Sequence, residues 1–206
     1  MSFDSTQIFA ANGALLPALL LGVGLAASSG LRAFLPLFAL SAAFHFKLFG
    51  LAPTGHFAWL GSDIALGALA IATLLEVLGD KVPFVDHGLD TVGTVLRPAA
   101  GALAAGAVLN HSDPAMGALL GLILGAPIAL GVHGAKATTR GASTLTTAGM
   151  ANPVVSLLED GAVVFTTAAA FFVPFLVPVL LGVAAWVLWK VYRSAKSRLG
   201  RKSVAA

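Results

Sequence analysis

Long apolar runs, broken by short polar or Gly/Pro-containing segments, dominate the chain. Residues 13–29 form a first run that is expected to end at Ser28-Ser29-Gly30. Residues 31–49 continue it or form a second, with Arg32 and Pro36 near the junction. Residues 50–60 (GLAPTGHFAWL) read as a loop with Trp59 at the membrane interface. Residues 61–79 and 88–109 make two further runs, the second with Arg97-Pro98 inside it. NHSDP at 110–114 is a turn signal, and a Gly-rich apolar helix is expected over 115–133. Residues 153–189 are long enough for two spans, with a break expected at Pro174 and Pro178. Trp186, Trp189 and Tyr192 then form an aromatic belt. A spanning segment must satisfy its own backbone, which selects helices over open sheets, and the alternating pattern of a transmembrane β-barrel is absent. The pattern predicts an all-α polytopic membrane protein of about six transmembrane helices. It forms one transmembrane domain over residues 1–193, followed by a basic tail at 194–206.

One stretch does not fit a lipid-facing helix. Residues 134–152 (GAKATTRGASTLTTAGMAN) are small and polar, with Leu145 as the one large aliphatic side chain before Met150. Polar backbone at membrane depth must be lined by protein or water. The segment is therefore expected to be a buried, broken or re-entrant element, or a long loop.

Composition agrees with the membrane reading. Of 206 residues 58% are hydrophobic and 10% charged, where soluble domains carry about 25% charge; mean hydropathy is +0.92. No room remains for a sizeable soluble domain. The 23 glycines suit helices that approach closely in lipid. The net charge of +3 hides an asymmetry: six of the twelve basic residues are Lys190, Arg193, Lys196, Arg198, Arg201 and Lys202. By the positive-inside rule the C-terminus is expected in the cytoplasm. Nucleic acid is not an expected partner, because the tail carries one aromatic and no folded basic surface. The chain has no cysteine, which excludes disulfides, thiolate chemistry and Cys-ligated metals. The opening MSFDSTQIFAANG has no basic stretch, so the first apolar run is expected to be retained and not cleaved.

The chain also resembles itself. At an offset of 70, residues 61–100 align without gaps on 131–170 with ten identities in forty positions, among them Pro83/Pro153 and Asp90/Asp160. In each copy a proline opens an apolar segment and a carboxylate follows two turns later on the same helix face. Repeats with interrupted helices occur in many secondary transporters, often inverted, with the site near the midplane between them. Repeat units of about 13–110 and 111–193 in inverted orientation are the expectation; a static scaffold is the alternative.

Candidate chemistry lies in two acidic clusters, LLEVLGDKVPFVDHGLD and NPVVSLLEDGAVVF, which hold six of the nine carboxylates. Ionisable groups within spans usually face protein, water or a substrate path. Asp86 and Asp90 are spaced i, i+4 and share a helix face with Arg97, seven residues further on. That arrangement suits a proton relay or a cation-and-substrate site. The alternative is a solvated loop containing Glu76, Asp80, Lys81 and Asp86, with Asp90 paired to Arg97. Glu159 and Asp160 follow Asn152-Pro153, with Ser156 one turn before them, and can bind a cation or amine or pair with Lys136 or Arg140. His133, Lys136 and Arg140 form one face, and His133 reads as a satisfied buried histidine. Arg32 either snorkels to the interface or lines the site. No metal-ligand spacing occurs, and HExxH, GxSxG and Walker A motifs are absent. Neither metal, cofactor nor enzymatic activity is expected. His45, His56 and His111 are expected at the interface or in loops.

Four motifs in order, GDKVPFVDHGLD, RPAAGAL, HGAKATTR and NPVVSLLED, resemble those of an uncharacterised family of small bacterial and plant membrane proteins, domain of unknown function 4126. The resemblance spans about residues 13–175 and implies a membrane protein, in a bacterium one of the inner membrane, but no activity. Glu76–Lys81 (EVLGDK) also resembles the E-x-G-D-K motif of cation/proton exchangers. It is one residue longer here, and its repeat copy, Thr146 to Ala151, lacks the acids. The residues together lead to the expectation of a transporter or channel-like carrier for a small polar solute or ion. Asp90, Asp160 and Glu159 would take the cation or proton, and Arg97, Arg140 and Lys136 would balance charge. The open alternatives are a structural membrane protein held by buried ion pairs, and an intramembrane enzyme. Expected partners are membrane lipids and a small solute or ion, with a homo-oligomer left open.

Overall fold

The computed structural model describes the backbone of residues 5–81, 83–109, 114–147 and 150–203, and the side chains of 15–81, 88–109, 115–145, 147, 150–187, 189, 190 and 193. All regular elements among them are helices: α1 (Ser5–Leu31), α2 (Phe34–His45), α3 (Asp63–Gly79), α4 (Pro83–Leu109), α5 (Pro114–Leu120), α6 (Ala126–Thr147), α7 (Asn152–Phe172) and α8 (Val177–Ser203). A π-turn, Gly121–Gly125, joins α5 to α6 without interrupting the rod. Among the described residues three helices are long and apolar enough to cross a membrane: Gly88–Leu109, Ala115–Leu145 and Asn152–Phe172. A fourth crossing results if the short 3-10 helix Gly55–Gly61 and α3, bent by 67°, count as one broken span.

Several boundaries differ from the sequence expectation for local reasons. Ser28-Ser29-Gly30 does not end α1. Ser29 Oγ donates back to Leu25 O at 2.8 Å, so its hydroxyl is satisfied inside the helix. The break comes at Arg32 and Ala33 instead, and Pro36 falls in the first turn of α2, where its missing N–H costs nothing. The segment 134–147 is neither broken nor re-entrant nor a loop; it is the continuous last part of α6. Its polar face turns inward, and Thr138, Thr139 and Thr144 donate to the carbonyls four residues back at 2.8–3.0 Å. The turn expected at 110–114 lies outside the described residues up to Asp113. Near the C-terminus the break falls at Val173 before Pro174, and Pro178 is absorbed into the first turn of α8.

The bundle is inside-out relative to a soluble protein. Large apolar side chains such as Ile71, Leu75, Val95, Leu122, Leu157 and Phe165 point outward, a girdle that only lipid or protein can cover. The protein is thus a membrane protein. Its apolar core gathers Leu21 and Leu25 of α1, Leu37 and Leu40 of α2, Ala104 and Val108 of α4, and Val177 of α8. Close approach of α4 to the π-turn requires glycine. A Cβ on Gly121 would lie 2.7 Å from the amide nitrogen of Gly106, and one on Gly125 would lie 2.8 Å from the carbonyl carbon of Gly101.

The helices alternate in direction. α1, α3 and α6 finish at the end of the bundle where α4 and α7 begin, because ion pairs join those termini. Pro83 opens α4 and Pro153 sits in the first turn of α7, as the offset of 70 suggests. The proline-opened helices of the two aligned segments, α4 and α7, thus start at the same end of the bundle.

Candidate functional site

Five helices bring their charges to one end of the bundle. Arg32, in the break after α1, is fully buried. Its Nη1 meets Asp80 Oδ2 at 2.8 Å and donates to Glu76 O at 3.0 Å; its Nη2 contacts Asp160 Oδ1 and lies 3.5 Å from Ser156 Oγ. Snorkelling is thereby excluded. Glu76 does not face an ion. Its two carboxylate oxygens accept from the amides of Ala33 and Phe34 at 2.9 and 3.0 Å and so cap the open N-terminus of α2, where a negative charge is favoured.

Arg140 holds Glu159 with two bonds, Nε to Oε1 at 3.2 Å and Nη2 to Oε2 at 2.8 Å. The same guanidinium reaches Asp80 at 3.2 Å and Asp90 at 3.4 Å. Lys136 Nζ sits among Glu159, Asp80 and Asp90 at 3.3, 3.7 and 3.7 Å, and donates to Leu31 O, a terminal carbonyl of α1, at 3.2 Å. Lys81 bridges Asp160 at 2.8 Å and Ser156 at 3.0 Å. Asp80, with three cations on Oδ2, keeps a buried Oδ1 without a hydrogen bond from any described residue.

On the α4 side Arg97 Nη2 donates to Asp90 Oδ1 at 3.1 Å, and Nη1 contacts His133 Nδ1. A guanidinium can only donate, so Nδ1 is the acceptor and Nε2 carries the proton of the ring. Nε2 then donates to Thr94 Oγ1 at 3.3 Å, and Thr94 in turn donates to Asp90 O at 3.3 Å.

A cleft of about 620 Å³, with polar side chains set in a largely apolar wall, opens beside this network, between α4, α6 and the start of α7. Asp90, Thr94, His133, Arg140, Thr144 and Asn152 line it. Asn152 Nδ2 donates to Thr144 Oγ1 at 3.2 Å, while its Oδ1 has no hydrogen-bond partner among the described residues. A second groove of about 610 Å³, walled by Val132, Leu158, Ala162 and Leu181, is apolar and reaches Lys136 and Glu159. Among the described residues no group of three or more His, Cys, Asp or Glu is placed to hold a metal.

The structure thus brings together Arg32, Glu76, Asp80, Asp90, Arg97, Lys136, Arg140, Ser156, Glu159 and Asp160, with Asn152 on the cleft wall. The side chain of Asp86 lies outside the described residues. The solvated-loop reading fails for Glu76 and Asp80, each 6% exposed. The cluster is also off-centre. Asp90 is the eighth residue of the 27-residue α4, and Lys136 is the twenty-third of the 34 residues from Pro114 to Thr147, so both lie toward the end where α1 and α3 stop. Sequence reasoning did not single out Lys81, Thr94 or Thr144 as site residues. Spacing offered a signal: Thr94 stands four residues after Asp90 and three before Arg97, and Thr144 four after Arg140. His45 ends α2 at the opposite end and His56 lies in the 3-10 helix there; His111 lies outside the described residues.

No curated protein and no solved structure matches the chain significantly. The family of the domain of unknown function DUF4126 matches residues 19–194, nearly the whole bundle with all of its buried charges, and the chain belongs to that family.

Proposed function

We propose that this chain is a membrane carrier, with or without channel-like character, for a small polar solute or ion, and not an enzyme. The observation that carries the reading is the cleft beside Asp90, His133 and Arg140. Its volume, about 620 Å³, lies in the range of small-molecule sites, roughly 300–1,000 Å³. Asp90 is the group that takes a proton or a positive charge, because its side chain keeps 28% exposure whereas Asp80 keeps none. Asp160, Glu159 and their cations form the fixed wall behind it.

A second reading has its own observation. Asp80, Asp90, Glu159 and Asp160 each have at least two cationic partners, as a scaffold locked by ion pairs would. Flux in proteoliposomes separates the two. Solute-dependent proton flux, screened over divalent cations, organic anions and amines, is expected in the wild type and lost in Asp90→Asn with folding intact. No flux for any solute, together with lower melting temperatures for both Asp90→Asn and Asp160→Asn, decides for the scaffold.

The topology that suits this function has about six spans: the four crossings above together with α1 and α8, with α2 a short helix folded back from Arg32. The repeat is best taken as parallel, α3–α4 with α6–α7. The charged end is assigned to the cytoplasm. It carries the tail residues Lys190 and Arg193, each packed on a tryptophan at 5.0 and 5.2 Å, whereas Lys47 is the one Lys or Arg between Arg32 and Lys81, a stretch centred on the other end. Because the chain has no cysteine, single cysteines can report directly. In sealed vesicles of known orientation, His56→Cys and Arg193→Cys are expected to react with an impermeant maleimide from opposite sides. Labelling from the same side would overturn the assignment.

A further inference from the structure

The ion pairs of the network are unequal in length, and none of those made by Asp90, the carboxylate that lines the cleft, closes below 3.1 Å. Charge-assisted bonds normally measure about 2.7–2.9 Å. Arg32–Asp80, Lys81–Asp160 and Arg140–Glu159 all close to 2.8 Å. Asp90, in contrast, is held by Arg97 at 3.1 Å, Arg140 at 3.4 Å and Lys136 at 3.7 Å. Both members of the 3.4 Å pair, Asp90 and Arg140, line the cleft. Arg140 is itself 6% exposed and anchored from behind by Glu159, so it is a fixed donor and Asp90 is the partner with room to move.

Around this loose pair the cleft carries groups that both give and accept hydrogen bonds: the hydroxyls of Thr94 and Thr144 and the amide of Asn152. Asn152 has already spent a donor on Thr144, and its Oδ1 is a buried acceptor without a hydrogen-bond partner among the described residues. Thr91, Ala137, Gly141 and Leu145 complete the wall, and a Cβ on Gly141 would meet nothing within 4 Å.

Resting on the carrier reading of this cleft, we propose that its solute is a small zwitterion bearing an ammonium and a carboxylate on neighbouring atoms, the chemistry of a small amino acid. The solute inserts into the Asp90–Arg140 contact. Its ammonium donates to Asp90 and to Oδ1 of Asn152, and its carboxylate accepts from Arg140. Arg140 keeps Glu159 and Asp80 behind it, and Asp90 keeps Arg97 and Lys136, so the zwitterion adds no net charge to a charge-paired network. A lone amine or a lone carboxylate adds one unbalanced charge to a half-buried site, which is the costlier case.

The test is equilibrium binding to the purified full chain in detergent or nanodiscs. Glycine and L-alanine are compared with acetate, propionate and ethylamine, each of which carries one of the two charges. The zwitterions are expected to bind at least tenfold more tightly than any single-charge probe. Asn152→Leu, at the rim and outside the ion pairs, is expected to weaken them about tenfold with unchanged melting temperature. Asp90→Asn is expected to abolish the preference for zwitterion over carboxylate. Binding of ethylamine or acetate as tight as that of glycine overturns the zwitterion while leaving the cleft as a solute site. Binding of none of the probes overturns the proposal too. A solute-dependent flux that persists in that case, lost in Asp90→Asn, would keep the carrier reading, whereas absent flux would remove both.

Discussion

Arg32→Ala is expected to cost about 3–5 kcal/mol of stability, the range for removing one partner of a buried charge pair. The side chain is fully buried and touches Asp80, Asp160 and the carbonyl of Glu76. Its loss strips Asp160 to Lys81 alone and takes from Asp80 the closest of its three cations. It also leaves the reversal between α1 and α2 held by the Glu76 cap and by Lys136 on Leu31 O. Arg32→Lys keeps the charge but cannot fork between two carboxylates, so an intermediate loss is expected. The measurement is thermal unfolding in detergent, followed by the monodisperse fraction on gel filtration. The diagnostic variant is the triple Arg32→Ala, Asp80→Asn, Asp160→Asn, which removes the stranded charges and should recover part of the loss. A single variant as stable as wild type would mean that the network is slack.

The second large effect belongs to the α4 contact with the π-turn. Gly121→Leu would place its Cβ within 2.8 Å of Gly106 Cα and drive the rest of the side chain into α4. Overpacking of this kind costs about 1–3 kcal/mol, occasionally more, and here the obstacle is backbone, which cannot rotate aside. Gly131→Ala is the matched control. A Cβ there meets nothing within 4 Å, so the change is expected to stay within about 1 kcal/mol and to favour the helix. Equal melting temperatures for the two variants would show that α4 and the π-turn can separate without loss.

Much of this was legible in the sequence. The apolar runs at 88–109 and 153–172 gave two spans with their ends nearly right, because each is bounded by a proline start and a polar or proline stop. The candidate residues gathered as a set, since charges inside apolar runs have few places to go but toward one another. The roles were less legible. Glu76 resembled an exchanger acid, yet it caps α2; nothing local says that a helix N-terminus 42 residues earlier needs a carboxylate. The stretch 134–147 was misjudged from its polarity. Helicity there goes with the buried polar side chains of His133, Lys136 and Arg140 spaced to one face, with threonines bonding back to their own helix.

The distances along the chain between Arg32 and its partners have a consequence for biosynthesis. The carbonyl of Glu76 is 44 residues away and Asp160 is 128. When α1 and α2 leave the ribosome, the guanidinium that terminates α1 has no counter-charge yet made. The first becomes available with α3 and the last only with α7. The early hairpin is therefore held at the edge of the bilayer, or by the insertion machinery, until later helices arrive, and the final seating of the first helix waits on synthesis of the seventh.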